Sequence, residues 1–81
     1  MIIAGVVIET LPDCAPAVGR DLQAEPRIKV EGNDGDRRLA AVWEGQDGEA
    51  LEAFAERLIA GHKQVLGVFP VYVGEDEEEV G

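Results

Sequence analysis

The N-terminal part of the chain is a short, almost continuous run of apolar residues followed by a helical pattern. The run from Ile2 to Ile8 is rich in β-branched side chains and predicts a strand buried on both sides in the middle of a sheet. Pro12 and Asp13 then indicate a helix start, and Pro26 ends the helix. The apolar positions of this helix are Ala15, Val18 and Leu22.

Two apolar stretches with a turn signal between them follow the first helix. Residues 27–31 alternate between polar and apolar side chains, and residues 37–43 form a second apolar stretch. Residues 32–36 join them and contain an Asp-Gly pair, which is a strong turn signal between strands. Asp34 and Asp36 fit turn chemistry better than a catalytic pair, because turns favour Asp beside Gly. The region therefore predicts a β-hairpin.

The strongest helical periodicity lies in the second half of the chain. Asp47 is a suitable N-cap, Glu49 is favourably placed near the positive end of the helix dipole, and Gly61 is a C-terminal stop. Apolar residues recur at the spacing of an amphipathic helix. They are Leu51, Phe54, Ala55, Leu58 and Ile59.

The last apolar run, residues 65–73, predicts a strand that contains Pro70. Because proline has no N–H to donate to a ladder, this strand should lie at a sheet edge or carry a bulge at Pro70. The element order is βαββαβ, and right-handed crossovers place both helices on one face of a four-stranded antiparallel sheet. The predicted fold class is therefore α+β, ferredoxin-like. We expect one domain over residues 1–74 and an acidic, flexible tail over residues 75–81.

The face of the sheet opposite the helices, which we call the open face, is left uncovered in this arrangement. If the larger side chains of each strand point towards the helices, Trp43 meets Phe54 in the core and Tyr72 also faces the helices. The open face then carries an apolar strip with an acidic rim. The strip is Ile3, Val7, Ala40, Val42, Phe69 and Val71, and the rim is Glu9, Glu31 and Glu44.

The charge of the chain limits its partners. Its 81 residues carry 17 acidic side chains against seven Lys and Arg, a formal net charge of −10. Binding of nucleic acid or of anionic lipid heads depends on a basic surface, so neither is expected. A basic partner is favoured. A homodimer is the alternative use of an exposed apolar side chain such as Phe69.

Candidate chemistry is sparse. Cys14 is the single cysteine and His62 the single histidine, so no disulfide, redox pair or metal-ligand cluster is expected, and no cofactor. No apolar run approaches the ~20 residues of a membrane span. The N-terminal run has no basic residue before it and no cleavage site after it, so we expect a cytoplasmic protein that does not insert into a membrane.

Three segments resemble the NapD family: the start of the first strand, the hairpin with residues 39–44, and above all the ending. The ending has the form V-L-x-V-x-x-V-Y before a run of acids, from Val65 to Tyr72. The resemblance covers essentially the whole chain, and Pro70 and Val73 depart from the family pattern. The resemblance implies a cytoplasmic chaperone, not an enzyme, that binds the twin-arginine leader of the catalytic subunit of periplasmic nitrate reductase and holds back its export.

The predicted open face suits that role on independent grounds. Such a leader has a basic segment followed by a moderately apolar one, and arginine pairs bidentately with carboxylates. We therefore expect the strip and rim to be the peptide-binding residues. The main alternative is a small-molecule regulatory module, although no convergent polar set indicates a ligand pocket. An enzyme of the acylphosphatase type lacks its basic phosphate-binding loop, a copper carrier lacks its Cys pair, and an acidic face argues against RNA recognition.

Overall fold

The computed structural model describes residues 1–75, and it confirms the predicted element order. Asp76 and the residues after it, which make up most of the predicted acidic tail, lie outside the described part. The elements are β1 (Ile2–Thr10), α1 (Ala15–Leu22), β2 (Ile28–Asn33), β3 (Arg38–Gly45), α2 (Gly48–Gly61) and β4 (Val65–Glu75). The predicted hairpin turn was placed too early, because β2 continues through Gly32 to Asn33.

The four strands form one antiparallel sheet in the order β2-β3-β1-β4. This is the predicted ferredoxin-like α+β fold, with α1 packed mainly over β2 and α2 mainly over β4. β1 lies in the interior of the sheet, as its β-branched run predicts. It is not buried on both sides, however: Ile3 and Val7 are only half-buried, because no helix covers the open face.

The core lies between the sheet and the two helices. The rings of Trp43 and Phe54 meet there at a centroid distance of 6.2 Å, as predicted. Ile59 belongs to the apolar positions of α2 but is 42% exposed, because α2 turns only a narrow stripe towards the sheet. The buried apolar residues are Ile2, Ala4, Val6, Ile8, Ala15, Val18, Leu22, Ile28, Leu39, Ala41, Trp43, Leu51, Phe54, Leu58 and Val65.

The helix starts differ in how they are capped. The side chain of Asp47 accepts a hydrogen bond from the N–H of Ala50 at 2.9 Å, which confirms the predicted N-cap of α2. α1 begins later than its start signal suggests, at Ala15, and its N-cap Cys14 makes no side-chain capping bond. Asp13 instead belongs to the preceding turn, with φ of 67°.

β4 is an edge strand and its register is irregular, so both expectations drawn from Pro70 are confirmed. Val6 pairs with Pro70 and Gly5 with Tyr72, which leaves Val71 without a partner in β1. A second shift leaves Leu66 unpartnered between the pairs at Gly67 and Val65. The extra residue at Val71 reverses the alternation of side chains, so the prediction that Tyr72 faces the helices is wrong.

The turn between β2 and β3 is built by Asp34, as predicted, whereas Oδ1 of Asp36 accepts a hydrogen bond from the N–H of Asp13 at 2.8 Å, outside the turn. Oδ1 of Asp34 accepts hydrogen bonds from the N–H groups of Asp36, Arg37 and Arg38 at 2.8 to 3.1 Å. Gly35 has φ of 78°, a left-handed conformation that glycine adopts without strain. These hydrogen bonds hold the pKa of the Asp34 carboxyl below its ordinary value.

Candidate functional site

The strand register determines which residues share the open face. They form four rows, each running from β4 across β1 and β3 towards β2. The rows are Gly74, Ile3 and Glu44; Tyr72, Gly5, Val42 and Lys29; Phe69, Val7, Ala40 and Gly32; and Gly67, Glu9 and Arg38.

Most residues of the predicted site lie on this face, and two do not follow the prediction. The seven placed as expected are Ile3, Val7, Glu9, Ala40, Val42, Glu44 and Phe69. Val71 is 64% exposed at the register shift of β4, and Tyr72 takes the open-face position opposite Gly5. Glu31 lies at a register shift of its own, between the pairs formed by Val30 and Gly32, so it stands at the β2 edge and not within a row.

Two aromatic rings lie flat against the sheet on its β4 side. A Cβ on Gly5 would come within 2.5 Å of the Tyr72 ring, and one on Gly67 within 2.7 Å of the Phe69 ring. Each ring therefore rests over a glycine. Both side chains nevertheless remain about half exposed, Phe69 at 52% and Tyr72 at 56%. The face thus presents a contiguous apolar surface of the kind that marks interaction sites in soluble proteins.

The carboxylates around this surface are available to an outside partner. Among residues 1–75 the ion pairs are Arg37 with Asp36 at 3.9 Å and His62 with Asp21 at 3.6 Å. Neither involves Glu9, Glu31 or Glu44, so no basic side chain of the described chain lies within 4.0 Å of those three carboxylates. Glu9 and Glu44 stand at opposite ends of the face, separated by about six residues along β3, or about 20 Å at the rise of a strand.

Sequence reasoning missed three basic side chains at this face. Lys29 is opposite Val42, Arg38 is opposite Glu9, and Arg27 lines a surface hollow together with Glu31 and Glu44. The rim is therefore mixed in charge and not purely acidic. The signal was present, because the alternation that puts Ala40 on the open face also puts Arg38 there.

A hollow of about 430 Å³ lies in the corner of the open face near β2. We call it the Gly32 hollow. Its lining includes Val7, Glu31, Gly32, Asp34, Arg38 and Ala40. It combines an apolar floor with carboxylates at its edge.

A second hollow, of about 400 Å³, has the opposite character. It is lined by Arg27, Gln46 and Arg57 beside Trp43, and no acidic side chain lines it. The indole Nε1 of Trp43 is buried and has no hydrogen-bond partner within residues 1–75. Two guanidinium groups suit an anion, so this hollow does not match a basic partner.

The remaining candidate chemistry stays isolated in space. No group of three or more His, Cys, Asp or Glu side chains in residues 1–75 is placed to hold a metal ion. Cys14 is a free, half-buried thiol, and His62 follows the end of α2 beside Asp21. Across the same residues, no helix has the length and apolar character needed to cross a membrane.

Comparison with known proteins supplies the family. The NapD family model, described as NapD protein, matches residues 1–77 of the 81. No curated protein and no solved structure matches the chain. A match over nearly the whole chain agrees with the ferredoxin-like fold and with the resemblance carried by its strands. The chain therefore belongs to the NapD family, which serves as a chaperone in nitrate reductase maturation and is not a family of enzymes.

Proposed function

We propose that this chain binds the twin-arginine signal peptide of the catalytic subunit of periplasmic nitrate reductase on its open face, in the cytoplasm, before export. The observation that carries the proposal is the open face itself: an uncovered apolar surface bordered by carboxylates that have no basic partner within 4.0 Å. A peptide with a basic segment and an apolar segment complements both parts of this surface.

The two parts of the face have different tasks in this proposal. Phe69 and Tyr72, each about half exposed, supply apolar area that the apolar segment of the leader covers. The rim carboxylates of Glu9, Glu31 and Glu44 accept hydrogen bonds from the leader's arginines. A bound leader is shielded from the export machinery, and its release permits export.

Calorimetric titration of the purified chain with a synthetic twin-arginine leader tests the proposal. The matched ligand replaces both arginines with lysine, which keeps the charge but removes the planar guanidinium groups. We expect saturable binding that is at least about tenfold weaker for the double-lysine peptide. A folded chain that gives no heat with either peptide, and shows no binding by fluorescence, would overturn the proposal.

The location of the site has its own test. Glu9→Gln combined with Glu44→Gln should weaken binding and reduce its dependence on salt, because it removes two negative charges beside the peptide. The matched control is Glu52→Gln with Glu56→Gln, which removes the same charge from exposed positions of α2. Equal losses in the two double variants would show that net charge, and not the open face, attracts the leader.

A further inference from the structure

The Gly32 hollow exists because small residues meet in one corner of the open face. Ala40 and Gly32 lie opposite one another in the third row, and a Cβ placed on Gly32 would meet no atom within 4 Å. On the other side of β1 the corresponding space is filled, because the ring of Phe69 lies over Gly67. Val7 forms the boundary between the filled side and the hollow side.

Two carboxylates border this hollow. Glu31 lies at the register shift of β2, where it has no partner in β3, and its side chain is exposed. Asp34 is held in place by the three N–H groups of the turn, all of which donate to Oδ1, so that Oδ2 remains for an outside donor. These hydrogen bonds also lower the pKa of Asp34, which keeps the carboxylate charged.

An apolar floor with carboxylates at one edge matches the shape of an arginine side chain. Its aliphatic stem packs on apolar surface while the planar head, with five N–H donors, bridges acceptors. A lysine could fill the same floor, but its ammonium group does not pair bidentately with a carboxylate. A purely apolar side chain would displace water from the two exposed carboxylates without replacing its hydrogen bonds.

We propose that the Gly32 hollow is the subsite that binds an arginine of the leader. This proposal rests on the proposed function. One arginine lays its stem over Val7 and Ala40 and donates hydrogen bonds to the carboxylates of Glu31 and Asp34. Arg38, which also lines the hollow, repels the incoming guanidinium group. Arg38→Gln therefore tightens binding of the twin-arginine leader, by about two- to fivefold.

The decisive experiment uses two glycines, one on the open face and one away from it. Gly32 lies on the open face, and Gly48 is the exposed first residue of α2, which packs against the covered face. Neither has a positive φ, and a Cβ on either meets nothing within 4 Å, so valine is tolerated at both. Gly32→Val places a branched side chain in the hollow, whereas Gly48→Val adds the same side chain away from the open face. We expect Gly32→Val to weaken twin-arginine leader binding at least about tenfold and Gly48→Val less than about twofold. Thermal melts of both variants check that the fold is retained.

A cycle with the ligand identifies what enters the hollow. Glu31→Gln should weaken binding of the twin-arginine leader about fivefold and leave binding of the double-lysine leader nearly unchanged. If the wild-type chain binds the leader but Gly32→Val binds it as tightly as Gly48→Val, the hollow is not a subsite and the proposed function stands. If Gly32→Val weakens the arginine and lysine leaders equally, the occupant is not arginine. Failure of the wild-type chain to bind any leader removes both proposals.

Discussion

The two faces of the sheet use the same backbone alternation for opposite purposes. The covered face is filled by large side chains such as Trp43 and Leu39, both at most 2% exposed. The open face pairs glycines with aromatic rings that remain half in solvent, and it leaves a hollow over Gly32. In a chain of 81 residues, where a core is necessarily thin, stability must come mainly from the covered face. The open face is thereby free to be shaped for a partner.

The largest expected difference in stability between the two faces is the one between the two phenylalanines of the chain. Phe54 is 3% exposed against Trp43, and Phe69 is on the open face. Phe54→Ala should lower the free energy of unfolding by about 3–5 kcal/mol, through lost burial and the cavity left behind. Phe69→Ala should cost less than about 1 kcal/mol, because its ring is half in solvent already.

Urea unfolding followed by circular dichroism measures both changes. Phe54→Leu, which leaves a smaller cavity, provides an intermediate point if Phe54→Ala does not fold. Similar losses for the two alanine variants would mean that the open face is part of the core, and the contrast between the faces would fail.

A smaller effect is expected at two glycines that each lie beneath a ring. A Cβ on Gly45 would overlap the benzo ring of the buried Trp43, and a Cβ on Gly5 would overlap the exposed ring of Tyr72. Gly45→Ala should lower the free energy of unfolding by about 1–3 kcal/mol, because the packed indole cannot move without strain. Gly5→Ala should cost less than about 1 kcal/mol, since Tyr72 can swing into solvent and alanine favours the ordered strand.

The same denaturation measurements, together with tyrosine and tryptophan fluorescence, check this pair. Gly45→Ala should alter the tryptophan emission and Gly5→Ala should leave it unchanged. If Gly5→Ala lowered the free energy of unfolding more than Gly45→Ala does, Tyr72 would be held more firmly than its exposure indicates.

The fold could be predicted from the sequence because its elements carry strong periodicities. The stripe in α2 and the alternation in residues 27–31 each favour one structure, and Asp47 and Gly35 specify a cap and a turn through local chemistry. The exposure of Ile59 could not be predicted, because a periodic pattern gives the direction of an apolar stripe and not its width.

The open face was predicted only in part, for reasons that lie in β4 and β2. Residues 65–73 are apolar or glycine at every position, so alternation there carries no information about which side chains face outwards. The shifts at Val71 and Leu66, and the one beside Glu31, are set by how neighbouring strands pair. Tyr72 and the hollow over Gly32 follow from those shifts. Only the shift beside Pro70 had a local signal, and that signal did not tell which side chains the shift would turn outwards.

The smallest predicted effect is a change in stability at low pH, and it again distinguishes the two faces of the sheet. The buried residues of the described chain are apolar apart from Thr10, so the covered core contains no ionisable side chain. Asp34, at the edge of the open face, has a pKa lowered by the N–H groups of Arg38, Asp36 and Arg37. Because its pKa is lower in the folded than in the unfolded chain, its contribution is complete above the unfolded value, about pH 4. It is lost as the pH falls through the folded value.

Asp34→Asn keeps an oxygen for the turn N–H groups but cannot carry charge. Its melting temperature should lie below that of the wild type by no more than a few degrees at pH 7, and the difference should shrink as the pH falls below about 4. Glu52→Gln is the control, because it removes a carboxylate from an exposed position of α2 without touching the turn. A constant difference between Asp34→Asn and the wild type across this range would show that the turn depends on the shape of the Asp34 side chain and not on its charge.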